Sequence, residues 1–213
     1  SKIKIIKFGD ENYPKKLKNI YSKPHTLYVI GNDKILNDRS IAIIGCRNCT
    51  NYGAKTAYRF GYELAKKGVC VISGFARGID SYAHLGAIKA GGKTIAILGC
   101  GLDVIYPEEN IALYREILKN EGAIITEYPL GSKPEKNHFP ARNRIISGLS
   151  DGVLVVEARK RSGTMITVEY ALDQGKDVYA IPGNIISDNS YGTNELIKEG
   201  AIPVTNVDDL KYK

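Results

Sequence analysis

The sequence predicts an α/β protein whose mostly parallel sheet is covered by helices on both faces. Three observations carry that expectation. Short apolar runs rich in β-branched residues recur along the chain, as at Ile41–Ile44 and Val153–Val156, and strands buried on both faces read as such runs. Most of these runs end at or near a glycine and lead into a segment with helical spacing. Strand and helix units alternate in order, the pattern of crossover connections. With 213 residues, 43% hydrophobic and 25% charged, the chain can bury one good core, so 1–213 is expected to form a single domain.

Taken in order, residues 1–25 are charged and interrupted by Pro14 and Pro24, which suggests a short helical lead-in. Thr26–Ile30 reads as a strand that adds to the sheet edge. The run ending at Gly45 is followed by a tight polar loop and a helix over 51–67, whose apolar positions Ala57, Phe60, Gly61, Leu64 and Ala65 have helical period and stop at Gly68. Val69–Ile72 is the next strand, then a glycine-bearing loop and a helix through Ala83 and Ala87. Thr94–Leu98 and Ala123–Thr126 are strands separated by a helix opening at 107–110 with an acidic start, as the helix dipole favours. The segment 127–140 is the longest irregular connection, a length usually functional in compact domains. A helix over 141–149, a strand at 153–156, a helix over 164–174 with Ala171 and Leu172 facing in, a strand at 178–181, a helix around 195–198 and a short strand near 201–204 complete the chain.

The balance of 30 Lys+Arg against 23 Asp+Glu gives a net charge of +7, which permits a polyanionic partner without requiring one. No apolar run is long enough to span a bilayer, and none in the first thirty residues resembles a signal peptide. The expectation is a soluble, cytoplasmic protein with no membrane partner. Cys46 and Cys49 form a lone Cys-x-x-Cys, and a zinc site would need a second ligand pair, so no metal and no cofactor are expected.

In an open parallel sheet the strand-to-helix loops emerge at the carboxyl edge, where ligands bind. Four of those connections carry cations: Arg47; Arg77; Lys136 with Arg142 and Arg144; and Arg159 with Lys160 and Arg161. A row of cationic loops suits a chain of phosphates better than a single one. With Arg142 and Arg144 placed in the first turn of their helix, the dipole disfavours them unless an anion binds there. Phe139 either offers a face for an unpaired base or plugs the core beneath the loop. His84, one turn after Asp80, is read as locking the preceding loop, and no nucleophile arrangement stands out, so no catalytic residue is assigned.

The motifs Ile43-Ile44-Gly45-x-Arg47, Ser73-Gly74-x-Ala76-Arg77-Gly78-Ile79-Asp80-x-x-Ala83-His84, Phe139-Pro140-x-Arg142-Asn143-Arg144 and Ser162-Gly163-Thr164 resemble the DNA-processing A (DprA/Smf) family over almost the whole chain. The resemblance implies an extended Rossmann-like domain that binds single-stranded DNA, forms a homodimer and helps load a RecA-type recombinase during natural transformation. It places Arg47, Lys136 and Phe139 at phosphates and base. Arg142, Asn143, Arg144, Arg159, Lys160, Ser162, Gly163 and Thr164 lie nearby, and Gly45, Arg77, Gly78, Asp80 and His84 support the loops. It also points to Leu196 and Ile197 as dimer candidates. Asn48-Cys49 departs from many relatives, and the helical and winged-helix domains of longer relatives are expected to be absent. An alternative comes from Gly163-Thr164 with Glu169, which resembles part of the lonely-guy enzymes, phosphoribohydrolases that cleave nucleoside monophosphates.

Overall fold

The computed structural model describes residues 2–212. Nine strands form one sheet: β1 (Lys4–Lys7), β2 (Thr26–Gly31), β3 (Ser40–Gly45), β4 (Cys70–Ser73), β5 (Thr94–Ile97), β6 (Ala123–Thr126), β7 (Gly152–Glu157), β8 (Asp177–Ala180) and β9 (Ile202–Pro203). Six α-helices connect them: α1 (Asn51–Lys66), α2 (Ile79–Lys89), α3 (Ile111–Lys119), α4 (His138–Leu149), α5 (Thr164–Asp173) and α6 (Tyr191–Lys198). The spatial order is β1-β2-β6-β5-β4-β3-β7-β8-β9. From β6 to β9 neighbouring strands are parallel, while β2 runs antiparallel to both β1 and β6. This is the mostly parallel α/β architecture that the alternating pattern predicts.

Both faces of the sheet are buried, which explains why the strands read as unbroken apolar runs. Along β3, Ala42 and Ile44 pack toward Ile145, Ile146 and Leu149 of α4. Ile41 and Ile43 turn the other way, onto Ala57, Phe60 and Leu64 of α1 and Ala83 and Ala87 of α2. From β3 the chain steps through β4, β5 and β6 to one side, then crosses back to β7 and proceeds to the other. The loops that follow β3 and β7 therefore diverge, opening a crevice between adjacent strands at the carboxyl edge.

Five local expectations are corrected. The lead-in contributes edge strand β1, paired with β2 from Lys4↔Val29 to Lys7↔Thr26, and β2 is consequently internal. Strand β1 reads Lys-Ile-Ile-Lys and buries only Ile6, and a 3-10 turn at Lys15–Leu17 is the lead-in's helical part. Helix α4 begins at His138, ahead of Pro140, because a proline within the first turn lacks an N–H that would have had no partner there. Arg142 and Arg144 thus lie beyond the first turn, and the dipole argument does not apply to them. Leu172 is 62% exposed and faces out, whereas Ala171 is buried as expected.

Candidate nucleic-acid interface

The crevice is built from the end of β3 outward. Thr50 caps α1, its Oγ1 accepting from the Gly53 N–H at 3.1 Å. Beneath that cap lies Glu157, the last residue of β7 and only 1% exposed. Its carboxylate accepts from the Thr50 N–H at 2.9 Å and the Thr50 hydroxyl at 2.5 Å. A buried carboxylate at a helix start is held by charge-assisted bonds and by the helix dipole. Asn189, 5% exposed, donates to Glu157 Oε1 at 3.3 Å and to the Asn48 carbonyl at 2.8 Å. Its side-chain oxygen accepts from Arg159 Nε at 3.3 Å. The loop bearing Arg47 and the loop bearing Arg159 are thereby tied to one buried network.

The same network keeps the Cys46 thiol protonated: burial, followed by the Glu157 charge, pushes its pKa up to about 11. Burial also raises the Cys49 thiol. Neutral thiols are poor metal ligands and slow nucleophiles.

A second lock fixes the β4–α2 loop. Asp80 accepts from the N–H groups of Gly74 and Ala76 at 3.2 and 3.3 Å. Burial pushes its carboxyl pKa up, while the Arg142 charge opposes that shift. Arg142, 6% exposed, donates from Nη1 to the carbonyls of Gly74 at 2.7 Å and Ile97 at 3.0 Å, and from Nε to Asn143 Oδ1 at 3.0 Å. It therefore joins the ends of β4 and β5 to α4. Gly78 adopts φ +76°, and a Cβ there would come within 2.3 Å of the Arg47 carbonyl, so only glycine permits this loop to pass beneath the β3 loop.

Above these locks lies a cleft of about 420 Å³, lined by Gly45, Arg47, Asp80, Phe139, Arg142, Asn143, Arg159, Arg161, Ser162, Gly163 and Thr164 among others. The half-buried Phe139 ring packs over Gly99. The guanidinium carbons of Arg47 and Arg142 lie 5.4 and 5.5 Å from its centroid, within cation–π range. Arg47 itself is exposed. On the other wall, Ser162 Oγ accepts from the Thr164 N–H at 3.1 Å, opening α5 into the cleft. Unpaired N–H groups at a helix start favour an anion.

Of the remaining expected site residues, Lys136 is exposed three residues ahead of Phe139, a reach of at most about 11 Å along the chain. It does not line the cleft. Lys160 sits over the Tyr191 ring at 5.5 Å. Arg77 is exposed, ion-paired with Glu109, and lines a small hollow of about 30 Å³ shared with Phe139 and Tyr106. Arg144 is turned away: it holds both oxygens of Glu127 at 2.7 Å and donates to the carbonyls of Ser22 and Ala141. His84 makes no hydrogen bond to the loop that Asp80 locks, but its ring lies against Phe75 of that loop at 6.3 Å between centroids, and its Nδ1 bonds Thr94 at 2.7 Å. Leu196 is 5% exposed within the chain's own core, and Ile197 packs against that cluster. Glu169, the carboxylate on which the phosphoribohydrolase alternative rests, is exposed on α5 and absent from the cleft wall.

Glu157, Asn189 and Tyr106 were not expected at the site. Glu157 and Asn189 lie 107 and 139 residues from Thr50 in sequence, beyond the reach of local spacing. The one pointer to Glu157 was an acid closing an otherwise apolar strand.

The family model described as DNA recombination-mediator protein A matches residues 4–213. DNA processing protein DprA of Streptococcus pneumoniae is 45% identical over 201 residues, covering 94% of this chain and 71% of that one. The crystal structure of DNA processing protein A from the same organism superposes with a TM-score of 0.93 at 44% identity, covering 98% of this chain and 73% of that one. DNA processing protein A from Helicobacter pylori, whose structure describes a single-stranded DNA binding mode, gives a TM-score of 0.88 at 34% identity over 97% of this chain and 93% of that one. Matched in sequence over nearly its whole length and in fold by both structures, the chain belongs to the DNA recombination-mediator protein A family.

Proposed function

We propose that this chain binds single-stranded DNA along the carboxyl edge of its sheet, with the strand crossing the cleft between the β3 and β7 loops. The observation that carries the reading is Phe139, a half-buried aromatic ring flanked by Arg47 and Arg142 at the mouth of a cleft whose far wall is Arg159, Arg161 and the start of α5. Phosphates pair with Arg47, Lys136, Arg159 and Arg161, and a base stacks at Phe139, a contact that duplex DNA does not offer. Asn143 and the Ser162–Thr164 turn shape the floor. Arg142 and Asp80 serve as supports for that floor, and Arg144 holds α4 to Glu127.

On this reading the chain acts in the cytoplasm as a recombination mediator: it protects incoming single strands in natural transformation and helps load a RecA-type recombinase. A homodimer uses the exposed surface of α6 and its surroundings, with Leu196 acting from within the protomer. No catalytic step is assigned.

The test is an oligo-dT titration with Arg47→Ala, Lys136→Ala and Phe139→Ala. Each variant is expected to weaken binding, the first two by similar factors on every sequence because they touch phosphate and not base edges. Removing one stacking platform costs about 1–3 kcal/mol per base. Unchanged affinity in Arg47→Ala and Phe139→Ala at moderate salt would overturn the assignment.

A further inference from the structure

A second cleft of comparable size, about 500 Å³, lies on the other flank of α4, between the lead-in segment and α5. That volume falls within the range of pockets that hold small organic groups. Its charges balance when Asp151 is counted. Arg144 and Glu127 form a bidentate pair, Lys16 pairs with Asp151 at 3.1 Å, and the Lys176 ammonium, which donates to the Ser150 carbonyl at 2.7 Å, is offset by the Asp173 carboxylate in the same lining. Such a floor presents hydrogen-bonding groups with no net charge to offer a phosphate.

The lip has the opposite character. Tyr21 is 92% exposed, the most exposed large hydrophobic side chain among those described, and Tyr170 stands in the wall contributed by α5. Residues 1–23 hold seven lysines (2, 4, 7, 15, 16, 18 and 23) against Asp10 and Glu11. That difference of five positive charges is most of the chain's net +7. Lys15 and Lys18 are exposed, on either side of the half-buried Lys16. Neither lines the cleft, but Lys18 is three residues before Tyr21, a reach of at most about 11 Å along the chain. An exposed aromatic with a solvated lysine within that reach, over a polar floor, can take a base and leave its phosphates on the rim.

The two clefts share α5. Ile166 and Thr167 line the first, and Tyr170, Asp173 and Gln174 line the second. Positions 166, 170, 173 and 174 form one stripe of the helix, spanning about 12 Å at 1.5 Å per residue. A strand leaving the first cleft along this stripe therefore reaches the second within a few nucleotides.

We infer that the Tyr21 cleft is a second station for the same single strand, holding a nucleotide that stacks on Tyr21 while Lys15 and Lys18 contact its phosphates. This inference rests on the single-stranded DNA reading of the carboxyl-edge cleft, and the experiment separates the two. Wild type, Tyr21→Ala and Lys18→Gln are titrated with oligo-dT of about 6 and about 20 nucleotides, lengths bracketing typical single-strand site sizes, at two salt concentrations. Tyr21 and Lys18 are solvent-exposed, and circular dichroism confirms that each variant is folded.

The expected result is that Tyr21→Ala binds the long oligomer about fivefold or more weakly and the short one as wild type does. Lys18→Gln is expected to lower the salt slope for the long oligomer only, by about 0.7. Long-oligomer affinity unchanged in Tyr21→Ala would overturn the second station and leave the first intact. Equal losses on both lengths would overturn it too, because Tyr21 would then be acting through the first cleft. No binding of either length by wild type would remove the first reading and this one with it.

Discussion

A methyl group on residue 53 would come within 2.2 Å of Glu157 Oε1. In most exposed helix interiors, replacing glycine with alanine gains about 1 kcal/mol. Here the carboxylate would have to move, and it is buried with the Thr50 N–H, the Thr50 hydroxyl and Asn189 all donating to it. Leaving such a group under-satisfied costs about 1–3 kcal/mol and more when it is charged, so the loss exceeds the propensity gain. Gly53→Ala is therefore expected to lower the urea midpoint, with a net destabilisation of about 1–2 kcal/mol; a raised midpoint would show that Glu157 is not locked. Asn189→Ala makes the complementary case. It removes the bond to the Asn48 carbonyl and frees Arg159, so oligo-dT affinity should fall although Asn189 is placed on no phosphate. A variant that binds normally would mean that the Arg47 loop holds its shape without this support.

At the scale of elements, α2 carries an acid-sensitive contact. Thr94 Oγ1 donates to the Val71 carbonyl at 2.7 Å, so it accepts from His84 Nδ1–H. Nε2 then has no partner among the described residues. Burial alone lowers the His84 pKa from 6.5 to about 3. The unfolded chain therefore binds a proton below pH 6.5 that the folded chain refuses. Stability from this group is full above pH 6.5 and is lost progressively as the pH falls toward 3, at up to about 1.4 kcal/mol per pH unit. His84→Leu should flatten the fall in stability between pH 6 and 4 relative to wild type, measured by denaturant unfolding at each pH; parallel curves would refute the assignment. Elements also show where sequence reading succeeds and where it stops. The β3–loop–α1 unit is legible because its strand is apolar throughout and a capping Thr precedes the helix. The start of α4 is not, because Pro140 has the look of a breaker while standing where its missing N–H costs nothing. Strand β1 is hidden by lysines that an edge strand tolerates. Leu172 has the composition of a core residue and the position of a surface one, which only packing decides.

Across the whole molecule, the placement of charge is more informative than its sum. The cationic loops were legible as a set because a parallel sheet sends every strand-to-helix loop to one edge. Which cations remain free was not legible, since pairing depends on residues far apart in the chain. Arg144 is committed to Glu127, Arg77 is paired with Glu109, and Arg142 is held by backbone carbonyls. In the reading proposed above, Arg47 and Lys136 on one side and Arg159 and Arg161 on the other meet the phosphates, Arg159 while held at Nε by Asn189. Four neutralised phosphates on a short strand confined to this cleft give log K against log salt a slope near −0.7 for each, or roughly −3 in all. Arg47→Ala and Arg161→Ala should each make the slope shallower by about 0.7, and the double variant by about twice that, if the two arginines contact separate phosphates on one strand. Arg144→Ala should leave the slope unchanged while destabilising the fold, because it removes one half of a mostly buried ion pair. With an oligomer too short to reach the Tyr21 cleft, a slope that Arg144→Ala changes as much as Arg47→Ala would mean that the strand lies on the opposite flank of α4 instead of the carboxyl edge, and the carboxyl-edge path would have to be abandoned.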